Sequence, residues 1–182
     1  SEMCIRDRLK TPTDSYTFGS RWHSDQMFNP CPAKATMLYA KETPQAGGDT
    51  LFANMYLAYE ALSPGMRSML AQVKTYNVGS RTRVQRYGAD SSMGTKVRDP
   101  GNRPTEAAHP LFRTHPETGR KALYIGSHSE RLDGFSDAES EPLLSFLREH
   151  SVRPEFTCRF RWQPGSVALW DNRCTQHHAI AD

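Results

Sequence analysis

Phe156-Thr157-Cys158-Arg159-Phe160-Arg161-Trp162-Gln163-Pro164-Gly165-Ser166-Val167-Ala168-Leu169-Trp170 is the stretch that decides the fold class. Over residues 156–162, Phe, Cys, Phe and Trp alternate with Thr, Arg and Arg, the period-two pattern of a strand with one buried face. Gln163-Pro164-Gly165 reads as a turn and residues 166–170 as a second strand. Outward from this pair, Thr36-Met37-Leu38-Tyr39-Ala40 and Leu123-Tyr124-Ile125 are also strand-like, with turns at Gly47-Gly48-Asp49 and Pro116-Glu117-Thr118-Gly119. Helical signals are few. Asn54 is an N-cap candidate ahead of residues 55–62, and Ser63-Pro64 starts a second short helix running to about Val73. Ser136-Asp137-Ala138-Glu139 resembles a capping box, followed by an apolar face of Leu143, Leu144 and Leu147 that ends near His150. Many short strands with a few helical insertions indicate a mainly β domain, a sandwich or jelly roll.

The remaining composition narrows the function. At 182 residues the chain has the length of one domain, with 37% hydrophobic and 24% charged residues. The apolar runs fall short of the ~20 residues that span a bilayer, and no hydrophobic signal core is visible. Net charge is +3, and Lys and Arg are scattered, so neither nucleic acid nor a membrane is expected as a partner. Cys4, Cys31, Cys158 and Cys174 form no CxxC pair and read as free thiols in a reducing, cytoplasmic setting. Residues 1–9 resemble translated non-native sequence and are set apart from fold reasoning. Residues 80–105 are rich in Arg, Gly, Ser and Asp and read as a long loop of the kind that often forms a lid. The domain is expected over residues 10–182, incomplete at its C-terminus.

Chemistry concentrates in two places. In Trp22-His23-Ser24-Asp25, residues i and i+2 of a strand would point His23 and Asp25 to one face. Imidazole with carboxylate suits a divalent first-row metal, and a 2-His-1-carboxylate triad is the arrangement of non-haem iron oxygenases. After the strand ending at Trp170, the polar run Asp171-Asn172-Arg173-Cys174-Thr175-Gln176-His177-His178 offers a third ligand from a distant part of the chain. Either histidine could serve. The ordinary reading of each motif alone is a surface His–Asp pair and a satisfied histidine.

The order of the segments goes further. Trp22-His23-Ser24-Asp25, Gly47-Gly48-Asp49-Thr50-Leu51-Phe52-Ala53-Asn54, Tyr59-Glu60-Ala61-Leu62-Ser63, His109-Pro110-Leu111-Phe112-Arg113-Thr114-His115-Pro116 and residues 161–177 occur in sequence. Together the chain resembles the taurine dioxygenase family of Fe(II)- and 2-oxoglutarate-dependent enzymes over residues 16–182. The resemblance implies a double-stranded β-helix, iron ligands His23, Asp25 and His177, and Thr50 as the hydroxyl facing the distal carboxylate of 2-oxoglutarate. His178 stands where the family usually has an aromatic residue, so the alternative ligand stays open. Fe(II), 2-oxoglutarate and O2 are the implied cofactor and cosubstrates. The implied reaction hydroxylates a small organic sulfonate, sulfate ester or carboxylate, with succinate and CO2 formed alongside. Asp25 argues against the halogenating branch, which lacks that carboxylate. Gly19 stands where taurine enzymes carry an asparagine, so taurine itself is not implied. The family's arginines for the distal carboxylate and for an anionic substrate group would lie beyond residue 182, which makes an inactive fragment one alternative. A non-catalytic metal-binding β-sandwich is another. His109, Arg113 and His115 are expected to be structural or pocket-lining rather than a second metal site. Trp22, Trp162 and Trp170 are expected in the core or pocket walls. Substrate identity and homo-oligomerisation are not readable from the sequence.

Overall fold

The computed structural model describes residues 19–79 and 105–180. Residues 1–9 and all but the last residue of the 80–105 loop lie outside the described residues. The described elements run β1 (Ala35–Tyr39), β2 (Thr50–Asn54), α1 (Met55–Glu60), α2 (Pro64–Met69), β3 (Lys74–Val78), β4 (Glu106–Pro110), β5 (Phe112–Thr114), β6 (Lys121–Leu123), β7 (Ser129–Leu132), α3 (Asp137–Ser151), a single 3-10 turn (Pro154–Phe156), β8 (Thr157–Phe160), β9 (Val167–Asp171) and β10 (Thr175–Ala179). All strand pairs are antiparallel: β1 with β9, β10–β2–β8, β4–β3–β7, and β5 with β6. Among the described residues the chain is mainly β with three α-helices, as the alternation predicts.

The sheet that matters for chemistry is β10–β2–β8. Its free β10 edge is extended by residues 19–23. Gly19 O accepts from Ala179 N at 2.9 Å, and His23 and His177 exchange both backbone hydrogen bonds, at 3.1 and 2.8 Å. Trp22 O accepts in turn from Ser127 N at 2.8 Å. Because neighbours in an antiparallel pair share a face, His177 and Phe52, paired in register, point one way, as do Ala179 and Thr50. Gln176 and Ala53 point the other way, into the core.

That core is where α1 and α3 cover the sheet. Ala53, Met55, Ala58, Ile125, Leu144 and Leu147 pack in one buried cluster. Gln176, fully enclosed, satisfies its amide by donating to Ser151 Oγ at 3.2 Å on α3. α3 starts on the anticipated capping box: Ser136 Oγ accepts from Glu139 N, and Glu139 Oε2 accepts from Ser136 N at 2.9 Å. Asn54 and Ser63 cap α1 and α2, with Pro64 in the first turn of α2.

Several expectations are corrected. α2 ends at Met69 rather than about Val73, where the chain instead enters β3. β8 is shorter than residues 156–162 because Pro154 nucleates the 3-10 turn, and Cys158 is exposed rather than buried. The polar run after Trp170 turns at residues 172–174 and its second half is a strand, β10. His23 and Asp25 share a face through a single bridge at His23 followed by a turn, not through a continuous strand. The turn closes with Asn29 N donating to Gln26 O, with Gln26 at φ 58°.

Candidate metal centre

His23, Asp25 and His177 converge from three directions. The edge segment supplies His23, the turn after it Asp25, and β10 His177. Their ligand atoms lie within 4.8 Å of one another. Nε2 of His23 is 3.6 Å and Nε2 of His177 is 3.8 Å from the same Asp25 Oδ1. The two rings stand 4.2 Å apart between centroids. Donors bound to one first-row ion at roughly 2.1 Å sit roughly 3 Å apart when cis, so each imidazole–carboxylate pair lies within an ångström of that spacing.

Tautomers fit the same conclusion. His23 Nδ1 lies 2.7 Å from Arg21 O, and a carbonyl only accepts, so Nδ1 carries the hydrogen and a neutral ring offers its Nε2 lone pair toward Asp25. A lone pair facing a carboxylate oxygen is a donor set for a cation. The residues present therefore fit a divalent ion of the Fe(II) type.

The carboxylate is tuned by its neighbours. Burial pushes the Asp25 carboxyl up. In the metal-free protein with both imidazoles charged, the hydrogen bond from His23, the charge of His177 and the Thr36 hydroxyl outweigh it, holding the group at about 2. Thr36 Oγ1 donates to Asp25 Oδ2 at 2.6 Å. Asn172, 1% exposed, donates from Nδ2 to Thr36 Oγ1 at 2.8 Å and accepts at Oδ1 from Asp25 N and Trp170 Nε1, at 3.2 and 3.1 Å. The sequence reading missed Thr36 and Asn172, since nothing in β1 or in the Trp170-Asp171-Asn172 run signals that they meet.

His178 is turned away. It stacks on Trp22 with centroids 5.4 Å apart, and its Nε2 donates to Ser20 O at 2.8 Å. Successive strand residues face opposite sides, so only one of the pair can join His23 and Asp25, and it is His177. That ring is walled by Trp170 and Phe52, with centroids at 4.7 and 6.2 Å. Thr50, buried on the same face as His177, accepts from Trp162 Nε1 at 3.0 Å. Gly19, at φ +81°, lies so close that a Cβ there would sit 3.4 Å from His23 Cε1. Asp49 pairs with Arg159, Nε to Oδ2 at 2.6 Å, at the mouth of β2. Tyr124 is buried, and loss of solvation pushes its phenol up to about 12, partly against the Arg113 guanidinium, which lies over its ring.

A second group of ligand-type residues, His115, Asp171 and Cys174, is equally compact. It is already satisfied. His115 Nδ1 accepts from Glu117 N and Thr118 N at 3.3 and 3.2 Å, and Nε2–H donates to Asp171 Oδ2 at 3.1 Å. Arg173 holds both Asp171 oxygens through its guanidinium. His109 donates from Nε2 to Asn29 O at 3.0 Å. The histidines of the 109–115 segment thus serve packing.

Comparison with known proteins agrees with the fold and the segment order. Residues 5–181 match the family described as taurine catabolism dioxygenase TauD, TfdA family. The alpha-ketoglutarate-dependent 2,4-dichlorophenoxyacetate dioxygenase of Cupriavidus pinatubonensis is 37% identical over 156 residues, covering 86% of this chain and 53% of that protein. The alpha-ketoglutarate-dependent sulfate ester dioxygenase of Pseudomonas putida is 36% identical over 166 residues, covering 88% and 54%. Among solved structures, AAD-2 in complex with Mn(II) and N-oxalylglycine superposes with a TM-score of 0.77 at 31% identity, over 90% of this chain and 58% of the other. A taurine dioxygenase from Burkholderia xenovorans superposes with a TM-score of 0.74 at 37% identity, over 88% and 51%. The chain spans about half the length of the curated relatives it matches. On this match, with the jelly-roll architecture it carries, the chain belongs to the TauD, TfdA family.

Proposed function

We propose that the protein is an Fe(II)- and 2-oxoglutarate-dependent dioxygenase that hydroxylates a small organic sulfonate, sulfate ester or carboxylate, forming succinate and CO2. The observation that carries this reading is the convergence of two imidazole Nε2 atoms on one oxygen of an ionised carboxylate. His23, Asp25 and His177 would hold the iron, and a triad of this kind leaves positions for cosubstrate and dioxygen. When bound, iron and 2-oxoglutarate supply the oxidising chemistry. The Mn(II) and N-oxalylglycine of the solved relative support the same pair of ligands, since N-oxalylglycine differs from 2-oxoglutarate by one N–H in place of a methylene.

The chain's own residues do the rest. Thr50 Oγ1 accepts from Trp162, so its own hydrogen is free to be donated to a carboxylate of the cosubstrate. Phe52, Phe160, Trp162 and Trp170 form a continuous aromatic wall beside His177 that keeps water from the reacting face. The relatives named for phenoxyacetate and sulfate ester chemistry support an organic acid or ester as the class of substrate. Among the described residues no helix is long and apolar enough to cross a membrane, and a cytoplasmic enzyme with a small-molecule substrate is the reading that fits.

The test is succinate formation by the intact protein with Fe(II), 2-oxoglutarate and a panel of aryloxyacetates, alkyl sulfates and sulfonates. Oxygen-dependent succinate raised by one class supports the reading. A protein that binds iron yet never forms succinate would instead be a metal-binding β module.

A further inference from the structure

The Asp25 carboxylate is held by a closed ring of hydrogen bonds whose directions are all determined. Asn172 Oδ1 accepts two N–H groups, from Asp25 at 3.2 Å and Trp170 at 3.1 Å, so the Asn172 amide is oriented with Nδ2 toward Thr36. Nδ2 can only donate, so Thr36 Oγ1 accepts at 2.8 Å. The remaining hydrogen of Thr36 then goes to Asp25 Oδ2, at 2.6 Å. Oδ1 is left facing the two histidine Nε2 atoms, at 3.6 and 3.8 Å.

We propose that Thr36 and Asn172 are positioning residues that keep Asp25 a ligand through Oδ1 alone, so that the carboxylate takes one coordination position and not two. The proposal rests on the iron reading above. A carboxylate free to rotate can chelate through both oxygens and occupy a place needed by cosubstrate or dioxygen. Here Oδ2 is claimed by a short hydrogen bond, and turning it inward would leave the Thr36 hydroxyl and the enclosed Asn172 amide with a broken ring. Three separate segments build the device: the turn at Asp25, strand β1 at Thr36, and Asn172 just past the end of β9. Thr36 lies opposite Trp170 in the β1–β9 register, and Asn172 N donates to Lys34 O at 3.0 Å. The β1–β9 ribbon is thereby tied directly to the centre. Outer partners of metal ligands typically change affinity by about 10- to 100-fold when lost.

The experiment uses Co(II), whose visible absorption responds to its ligand set, titrated into the intact protein and its Thr36→Val and Thr36→Ser variants. Expected for Thr36→Val is roughly 10- to 100-fold weaker Co(II) binding, together with a shifted visible spectrum as the second carboxylate oxygen replaces a solvent ligand. Thr36→Ser, which keeps the hydroxyl, should restore both affinity and spectrum. Unfolding of the metal-free variants separates this from loss of fold, and Thr36→Ala gives the same readout should Thr36→Val not fold. Thr36→Val with wild-type affinity and spectrum overturns the proposal, as does Thr36→Ser failing to rescue. A wild-type protein that does not bind Co(II) overturns the iron reading itself, a separate outcome.

Discussion

His23–Asp25–His177 and His115–Asp171–Cys174 pass the same distance criterion, yet they are opposite kinds of site. At the first, two imidazole nitrogens aim at one carboxylate oxygen, and the groups around them, Arg21 O and the Thr36 hydroxyl, orient the ligands without supplying a cation. At the second, a guanidinium already fills the place a metal would take, and backbone N–H groups occupy the other histidine nitrogen. Proximity of ligand-type residues is therefore a poor guide. What separates a metal centre from a structural network is whether the lone pairs already have hydrogens.

The difference can be broken most severely at the first cluster. Asp25→Ala or His23→Ala should lower Fe(II) or Co(II) affinity by more than about 100-fold and abolish coupled succinate formation, while Asp171→Asn should leave metal affinity unchanged. Equilibrium metal titration checks both arms. Next, Arg173→Met should cost about 2–3 kcal/mol in chemical unfolding, because the half-enclosed Asp171 loses its cation; the figure is at the low end for ion-pair breakage since that carboxylate retains some solvent. If that variant instead gained a tight zinc site, the two clusters would be closer in kind than the geometry indicates.

Acid should distinguish them from neutral conditions in a defined window. The folded Asp25 carboxyl sits at about 2, below the ordinary 3.8, so its contribution is fully present above pH ~4 and is lost as pH falls from there toward 2. The metal-free protein should lose about 2 kcal/mol across that window from this group, a loss absent from Asp25→Asn. Denaturant midpoints at pH 5, 3.5 and 2 test it. The smallest effect is expected at His178. His178→Ala should cost about 1 kcal/mol, through the Ser20 hydrogen bond and the Trp22 stack, and leave metal affinity within a few-fold of wild type.

Much of this was legible in the chain. The capping box at Ser136 and Glu139 is local chemistry, and the structure forms it as read. The Phe/Cys/Phe/Trp alternation found β8, although Cys158 faces solvent because only short-range periodicity, not the neighbouring sheet, is encoded there. β10 was hidden because its sequence Thr-Gln-His-His-Ala presents polar groups to both faces: Gln176 to a hydrogen-bonded core position and His177 to the metal face. His23 and Asp25 were visible as a pair, while the choice of His177 over His178 needed the bridge to His23 that sets the register. Thr36 and Asn172 were invisible because their meeting depends on the β1–β9 pairing across more than a hundred residues.

The most direct test of the central claim is the anomalous scattering of Mn(II) in crystals of the intact protein. One peak bonded to His23 Nε2, Asp25 Oδ1 and His177 Nε2, with none at His115, Asp171 and Cys174, is the result expected. A peak at the second cluster, or a centre ligated by His178, would contradict it.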